Sequence, residues 1–220
     1  MHLFDIIGPI MIGPSSSHTA GAARIGLVAR SLLEKQPVRA RIGFFGSFAD
    51  TYRGHGTDRA IIAGLLGMAV DDERLRNSPE YAAAAGLQVE FYQADLRDAH
   101  PNTVVLDLED ADGHALHVQA SSVGGGAIRV DDLDGLKVSF SMTQDTLVLE
   151  QRDTPGIVAR VSGLIAGSSV NIATMQLFRD HLGGRAVMVL ETDSQPDPET
   201  IEKIRAVRGV QRVTLLKKQA

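Results

Sequence analysis

The run Gly13-Pro14-Ser15-Ser16-Ser17-His18-Thr19-Ala20-Gly21 places four hydroxyls and an imidazole directly ahead of an apolar helical pattern. One small hydroxyl residue is enough to cap a helix, so the others are surplus to folding and free for chemistry. A helix start presents N–H groups and the positive end of the macrodipole, a combination that receives carboxylates. Hydroxyls from Ser15, Ser16, Ser17 and Thr19 add donors there, and His18, in the first turn, stands beside the anion as a proton acceptor or donor. A second run, Gly54-His55-Gly56-Thr57-Asp58, repeats the design. Thr57 reads as a cap, Asp58 complements the dipole, and Gly54 and Gly56 on either side of His55 let another backbone come close. Taken singly, each run has a plainer reading as ordinary caps and a solvated imidazole. Two histidines near two helix starts, among so many hydroxyls, read together as an acid/base and carboxylate site.

Other chemistries are excluded by what the sequence lacks. There is no G-x-S-x-G nucleophile turn and no H-E-x-x-H zinc motif, and "GHGTDRA" lacks the third glycine of a dinucleotide fingerprint. The formal net charge is −5 and no dense Lys/Arg run occurs, which argues against nucleic acid as a partner. No apolar run approaches the roughly 18 residues of a membrane span. The opening "MHLFDIIGPIMIG" has no basic stretch before its apolar one, so no signal peptide is expected and the expected location is cytoplasmic. Cysteine is absent, which removes disulfides, a thiol nucleophile and thiolate metal ligation; no metal site is expected on this chain.

The elements that must position these residues follow from periodicity. Ser17 to about Lys35 reads as a helix with Ala20, Ala23, Leu27 and Leu32 on its apolar face. Val38, Ala40, Ile42 and Phe44 alternate with Arg39, Arg41 and Gly43 as a half-buried strand. A helix is expected from about Asp58 through "RAIIAGLLGM", its glycines marking close packing. A short one is expected in "NSPEYAAAAG", with Ser78 as cap, Pro79 at its first position and Gly86 as stop. Leu87 to Tyr92 returns to strand. Two alternating strands flank Asp112-Gly113 as a hairpin. The triplet Gly124-Gly125-Gly126 reads as a bend rather than an anion cradle.

From about residue 143 the order becomes β-α-β-β-α-β, the ferredoxin-like superfold. Two domains are therefore expected, 1–142 and 143–220, in an α+β chain. The stretch "DTPGIVARVSGLIAGSSVNIATM", through Asp153, Pro155, Gly156 and the Asn171-Ile172 pair, resembles the ACT domain, a family of amino-acid-sensing modules. The resemblance implies an amino-acid site at Asp153, Gly156, Asn171 and Ile172, or a module that serves only in self-association. Asp153 and Pro155 as mere turn formers remain the alternative.

The whole pattern, "IGPSSSHTAGAARIG", "GSFADTYRGHGTDRAIIAGLLG", "VGGGAI" and the ACT-like tail, resembles the β chain of the iron–sulfur L-serine dehydratases (L-serine ammonia-lyases). The resemblance implies an N-terminal α/β domain akin to the allosteric substrate-binding domain of some phosphoglycerate dehydrogenases. It implies conversion of L-serine to pyruvate and ammonia, with a [4Fe–4S] cluster as Lewis acid. Such clusters are held by cysteine thiolates, so a chain without cysteine implies an α-chain partner that carries the cluster. His18 and His55 are then the implied catalytic residues, and Ser15, Ser16, Ser17, Thr19, Gly56, Thr57 and Asp58 the implied substrate contacts, facing that partner. Which histidine is acid and which is base stays open. The alternative is a non-catalytic amino-acid-sensing regulatory protein, for which the paired histidine motifs have no use.

Overall fold

The structure, a computed structural model, describes residues 10–218; the stretch 1–9, read above as free of a leader pattern, lies outside the described residues. The chain divides into two compact units, 1–135 and 136–220. The division comes one strand earlier than the boundary drawn at 143, where the new alternation begins.

In the first unit a π-helical turn, Ser16–Ala20, runs into α1 (Gly21–Leu33). Then come β1 (Pro37–Phe45), α2 (Ser47–His55), α3 (Thr57–Leu65), a 3₁₀ turn Glu73–Asn77, α4 (Ser78–Ala84), β2 (Gln88–Gln93), β3 (Thr103–Asp110), β4 (Ala115–Gly124) and β5 (Ala127–Leu133). The next strand, β6 (Leu136–Ser141), carries the chain into the second unit. Within the first unit the sheet order is β2-β1-β3-β4-β5. β1 and β2 are parallel, joined through the helical segment, whereas β1/β3, β3/β4 and β4/β5 are antiparallel.

The alternation read in β1 is present: Ala40, Ile42 and Phe44 are buried while Arg39 and Arg41 face out. The first helix ends at Leu33 because Glu34 turns left-handed (φ 67°), two residues short of Lys35. The glycine triplet is a bend: all three φ are positive (107°, 60° and 81°), and Gly124 pairs with Ala127 across the β4–β5 turn. Ser78 does not cap α4. Its buried hydroxyl donates to the Arg59 carbonyl at 2.6 Å, and the cap position falls on Asn77. The sequence reading missed α2, because Phe48 is its one buried residue and leaves no 3.6-residue repeat to see.

Helices α1 and α3 meet through glycines. A Cβ on Gly26 would lie 2.5 Å from the Ile61 carbonyl oxygen, and one on Gly64 2.1 Å from that of Ala23. Both obstacles are backbone and do not swing aside. Gly64→Ala is therefore expected to destabilise the fold by about 1–3 kcal/mol or more through overpacking, read as a lower denaturant midpoint at unchanged m-value.

The second unit continues with β7 (Asp145–Arg152), α5 (Ile157–Gly167), β8 (Ile172–Arg179), β9 (Arg185–Thr192), α6 (Pro198–Arg205) and β10 (Val210–Leu216). Its sheet order is β10-β7-β9-β8, antiparallel throughout, as the ferredoxin-like reading requires. Leu147, Leu149, Met188 and Leu190 form one cluster with Val161 and Ile165 of α5 and Ile204 of α6, so both helices cover the same sheet face. Among the described residues no helix is long and apolar enough to cross a membrane.

Candidate active site

Gly46 turns the chain out of β1 into α2. Its φ is +57°, and a Cβ there would stand 2.7 Å from the Pro101 carbonyl oxygen, so only glycine fits. This turn delivers Ser47 and Phe48 to the π-helical turn that holds His18. A π turn at a helix start is uncommon and recurs at functional sites; here the Gly21 N–H reaches back to the Ser16 carbonyl.

Every polar atom of the His18 ring is engaged. Nδ1 lies 3.0 Å from Ser17 Oγ and 3.4 Å from Ser15 Oγ, and Nε2 lies 3.1 Å from Ser47 Oγ. Ser15 also accepts the His18 backbone N–H at 3.2 Å, the capping role expected of one serine in the run. The edge of Phe48 packs on the ring at 5.2 Å between centroids, and the His55 ring lies 5.0 Å away at 50°. Thr19 is buried and donates from Oγ1 to the His55 carbonyl at 3.1 Å, which ties the two motifs together.

Burial first, and the neighbouring His55 second, hold the His18 pKa below the 6.5 of an exposed imidazole. The neutral ring is thus favoured in the folded state. The linkage sign follows: the unfolded chain binds the proton more readily, so this contribution to stability is complete above pH 6.5 and is lost as pH falls through the folded value. Acidification from pH 6.5 down through the folded value should lower the melting temperature, and His18→Gln should flatten this part of the pH–stability curve. An equally steep curve in the variant would assign the loss to other groups.

The GHGTD run is built differently from its expectation. It is not a loop ahead of a helix: His55 is the last residue of α2 and Gly56, left-handed at φ 68°, joins α2 to α3. Thr57 does not cap α3. It lies inside the first turn, fully buried, with Oγ1 unpartnered among the described residues. Asp58 does serve the helix start, accepting the Arg59 N–H at 2.9 Å. His55 Nδ1 is also buried and unpartnered. A pocket of about 570 Å³ opens beside it, with Thr19, His55 and Gly56 in its wall together with Arg53, Arg59 and Arg76.

The structure thus brings together Ser15, Ser17, His18, Thr19 and His55, and sets Gly56 in the same pocket wall as His55. Ser15 and Ser17 orient His18, a different task from the substrate contact read from the sequence. Ser47 and the three arginines were not read as site residues. Ser47 sits in the helix that periodicity did not show, and arginines near a glycine turn carry no spacing signal of their own.

In the second unit the proposed ligand residues lie at opposite ends of one sheet. Asp153 accepts from the Gly183 N–H at 3.1 Å and from Arg179 Nη1 at 2.8 Å, and these two donors hold its carboxyl below the usual carboxylate range. Gly156 (φ 89°) caps α5 close by. Ile172 opens β8, eight residues long, with Asn171 just before it and Arg179 at its far end; Asn171 Nδ2 donates to Asp193 at 2.7 Å. Within one chain they form no common site.

Residues 2–86 match the serine dehydratase beta chain family and residues 146–209 the ACT domain family. A probable L-serine dehydratase beta chain of Bacillus subtilis is 42% identical over 212 residues, covering 96% of each chain. An L-serine dehydratase beta chain of Peptoniphilus asaccharolyticus is 38% identical over 97% of this chain and 96% of its own length. A D-3-phosphoglycerate dehydrogenase of Bacillus subtilis is 24% identical over 89% of this chain and 37% of that protein.

Proposed function

The chain belongs to the serine dehydratase β-chain family and carries an ACT domain, and from that premise we propose that it is one half of an L-serine ammonia-lyase, converting L-serine to pyruvate and ammonia together with an α chain. The observation that carries the proposal is the pair of imidazoles 5.0 Å apart, one with every ring nitrogen held by serines and the other bordering a pocket.

A [4Fe–4S] cluster does not fit this chain. It has no cysteine, and among the described residues the one cluster able to hold a metal is Asp110, Asp112 and His114, a hard oxygen and imidazole set on the β3–β4 hairpin. The cluster is assigned to the α chain. This chain's share of the reaction is binding and proton transfer. Elimination breaks the Cα–H and Cβ–O bonds of L-serine and forms the Cα=Cβ bond of 2-aminoacrylate; the hydroxide takes a proton and leaves as water, and water then hydrolyses the imine tautomer to pyruvate and ammonia. His55, which borders the pocket, takes the proton from Cα, while the neutral His18 beside it keeps the local charge low so that His55 can accept it. Ser15, Ser17 and Ser47 fix His18.

The experiment is anaerobic assay of pyruvate release from L-serine by the purified chain, the α chain and their mixture. The expected result is activity in the mixture only. Pyruvate release by this chain alone would end the proposal, and an inactive mixture with an intact cluster would leave the amino-acid sensor.

The ACT domain is proposed to pair with a second copy along β8. That strand is the sheet's outer edge, and Met175 and Leu177 on it are 38% and 43% exposed. An apolar, unpaired edge is a template for another strand.

A further inference from the structure

The pocket beside His55 is lined by three arginines from three elements: Arg53 of α2, Arg59 of α3 and Arg76 of the 3₁₀ turn. None of the three has a carboxylate partner among the described residues. Two comparisons within the molecule make this unusual. Arg74, two residues from Arg76, is held by Asp72 at 2.9 Å. A second hollow, about 550 Å³ on the open face of β1–β3, is also lined with charge, but there Arg39 pairs with Glu109 at 3.3 Å and Arg41 with Glu90 at 3.7 Å. The chain has 27 acidic side chains against 22 Lys and Arg, so three arginines without a carboxylate around one cavity run against its overall balance; among the described residues Arg53 alone of the three has an aromatic contact, its guanidinium 5.4 Å over the Tyr52 ring. Such convergence suits an anion: the guanidinium fork matches a carboxylate with two parallel hydrogen bonds.

The serine run cannot fill that part. Ser15 and Ser17 are engaged with His18, none of Ser15, Ser16 and Ser17 lines the pocket, and Thr57 is fully buried. The space over Gly56 is open, with nothing within 4 Å of where a Cβ would stand. A volume of this size suits a small molecule.

We propose that Arg53, Arg59 and Arg76 form the carboxylate seat of the pocket, holding the substrate's α-carboxylate so that its Cα faces His55. The proposal rests on the reading of the chain as part of an amino-acid lyase and deepens it by naming the group that is recognised and the residues that recognise it. The grip is a binding interaction made equally before and during the reaction, so its loss falls on KM more than on kcat.

The test has two arms. In the first, the full chain is titrated with acetate while the His55 ring and Gly56 amide signals are followed by NMR, with ethanolamine, which is serine without its carboxylate, as control. A saturable response to acetate only, weakened at least about tenfold by Arg53→Gln, Arg59→Gln or Arg76→Gln, supports the seat, the loss expected when a charge-assisted hydrogen bond is removed. Lack of response in the wild-type chain, or a response that survives all three substitutions, overturns it. Loss of α-chain binding in the variants with acetate binding intact also overturns it, because the arginines then dock an acidic partner surface. In the second arm, the complex with the α chain should show a raised KM for L-serine in the variants, with Arg→Lys recovering part of it; unchanged KM in all three overturns the substrate role. A complex inactive toward L-serine would defeat the lyase reading, while the acetate titration still decides the seat.

Discussion

His55→Ala is expected to lower turnover of L-serine by the α–β complex by about 10²-fold or more, the scale of a positioned general acid or base. The Cα proton of an amino acid is a weak acid and does not leave without an acceptor in place. His55 is the imidazole that borders the pocket, and its buried Nδ1 has no partner among the described residues. His18→Ala should cost a similar factor by another route. Its ring nitrogens are taken by three hydroxyls, so it acts by packing against His55 and staying neutral. The two losses should therefore overlap, the double variant falling little below the single ones, as expected of residues that work as a unit. Both side chains are only part-buried, so folding and α-chain binding should survive. Near-normal turnover in both single variants would reduce the two motifs to helix caps.

The histidines were legible in the sequence because five polar residues in a row exceed what capping needs. Their surroundings were not. The sequence reading put His55 ahead of a helix, whereas it closes one; α2 buries only Phe48 and leaves no periodic trace. Ser47 reaches His18 because Gly46 bends the chain under the Pro101 carbonyl, a tertiary constraint with no local sign. Thr57 looked like a cap because threonine precedes an apolar run, but Gly56 takes the cap position and turns Thr57 inward. The ferredoxin-like tail was read with its strand and helix order intact, since each element is short and bounded by turn residues. The separation of Asp153 from Asn171 was not legible: both belong to one recognisable pattern, but sequence proximity does not say which end of a sheet each occupies.

Leu177→Asp is expected to abolish self-association of the full chain, shifting its sedimentation mass to that of a single copy. In the sheet order β10-β7-β9-β8, β8 is an edge strand, hydrogen-bonded among the described residues to β9 alone. Asp153 sits at the end of that strand, tied to Arg179 at 2.8 Å, and Asn171 precedes its start. If two copies pair β8 antiparallel about a two-fold axis, the Asn171 end of one copy meets the Gly156 turn of its partner, on both sides of the axis. Residues that one chain holds apart are thereby joined twice. Burying an unpaired aspartate from each copy in an edge that otherwise presents Met175 costs several kcal/mol, at least about a thirtyfold loss in affinity. An amino acid bound at the joined ends stabilises the pair by mass action, so L-serine should tighten the dimer. Asn171→Ala should keep the dimer and remove that dependence, and Leu177→Asp should remove both. Because the readout is dimer dissociation, L-serine bound in the arginine pocket does not enter it. A dimer that withstands Leu177→Asp would move the contact off β8, and a ligand effect that withstands Asn171→Ala would move the effector site elsewhere.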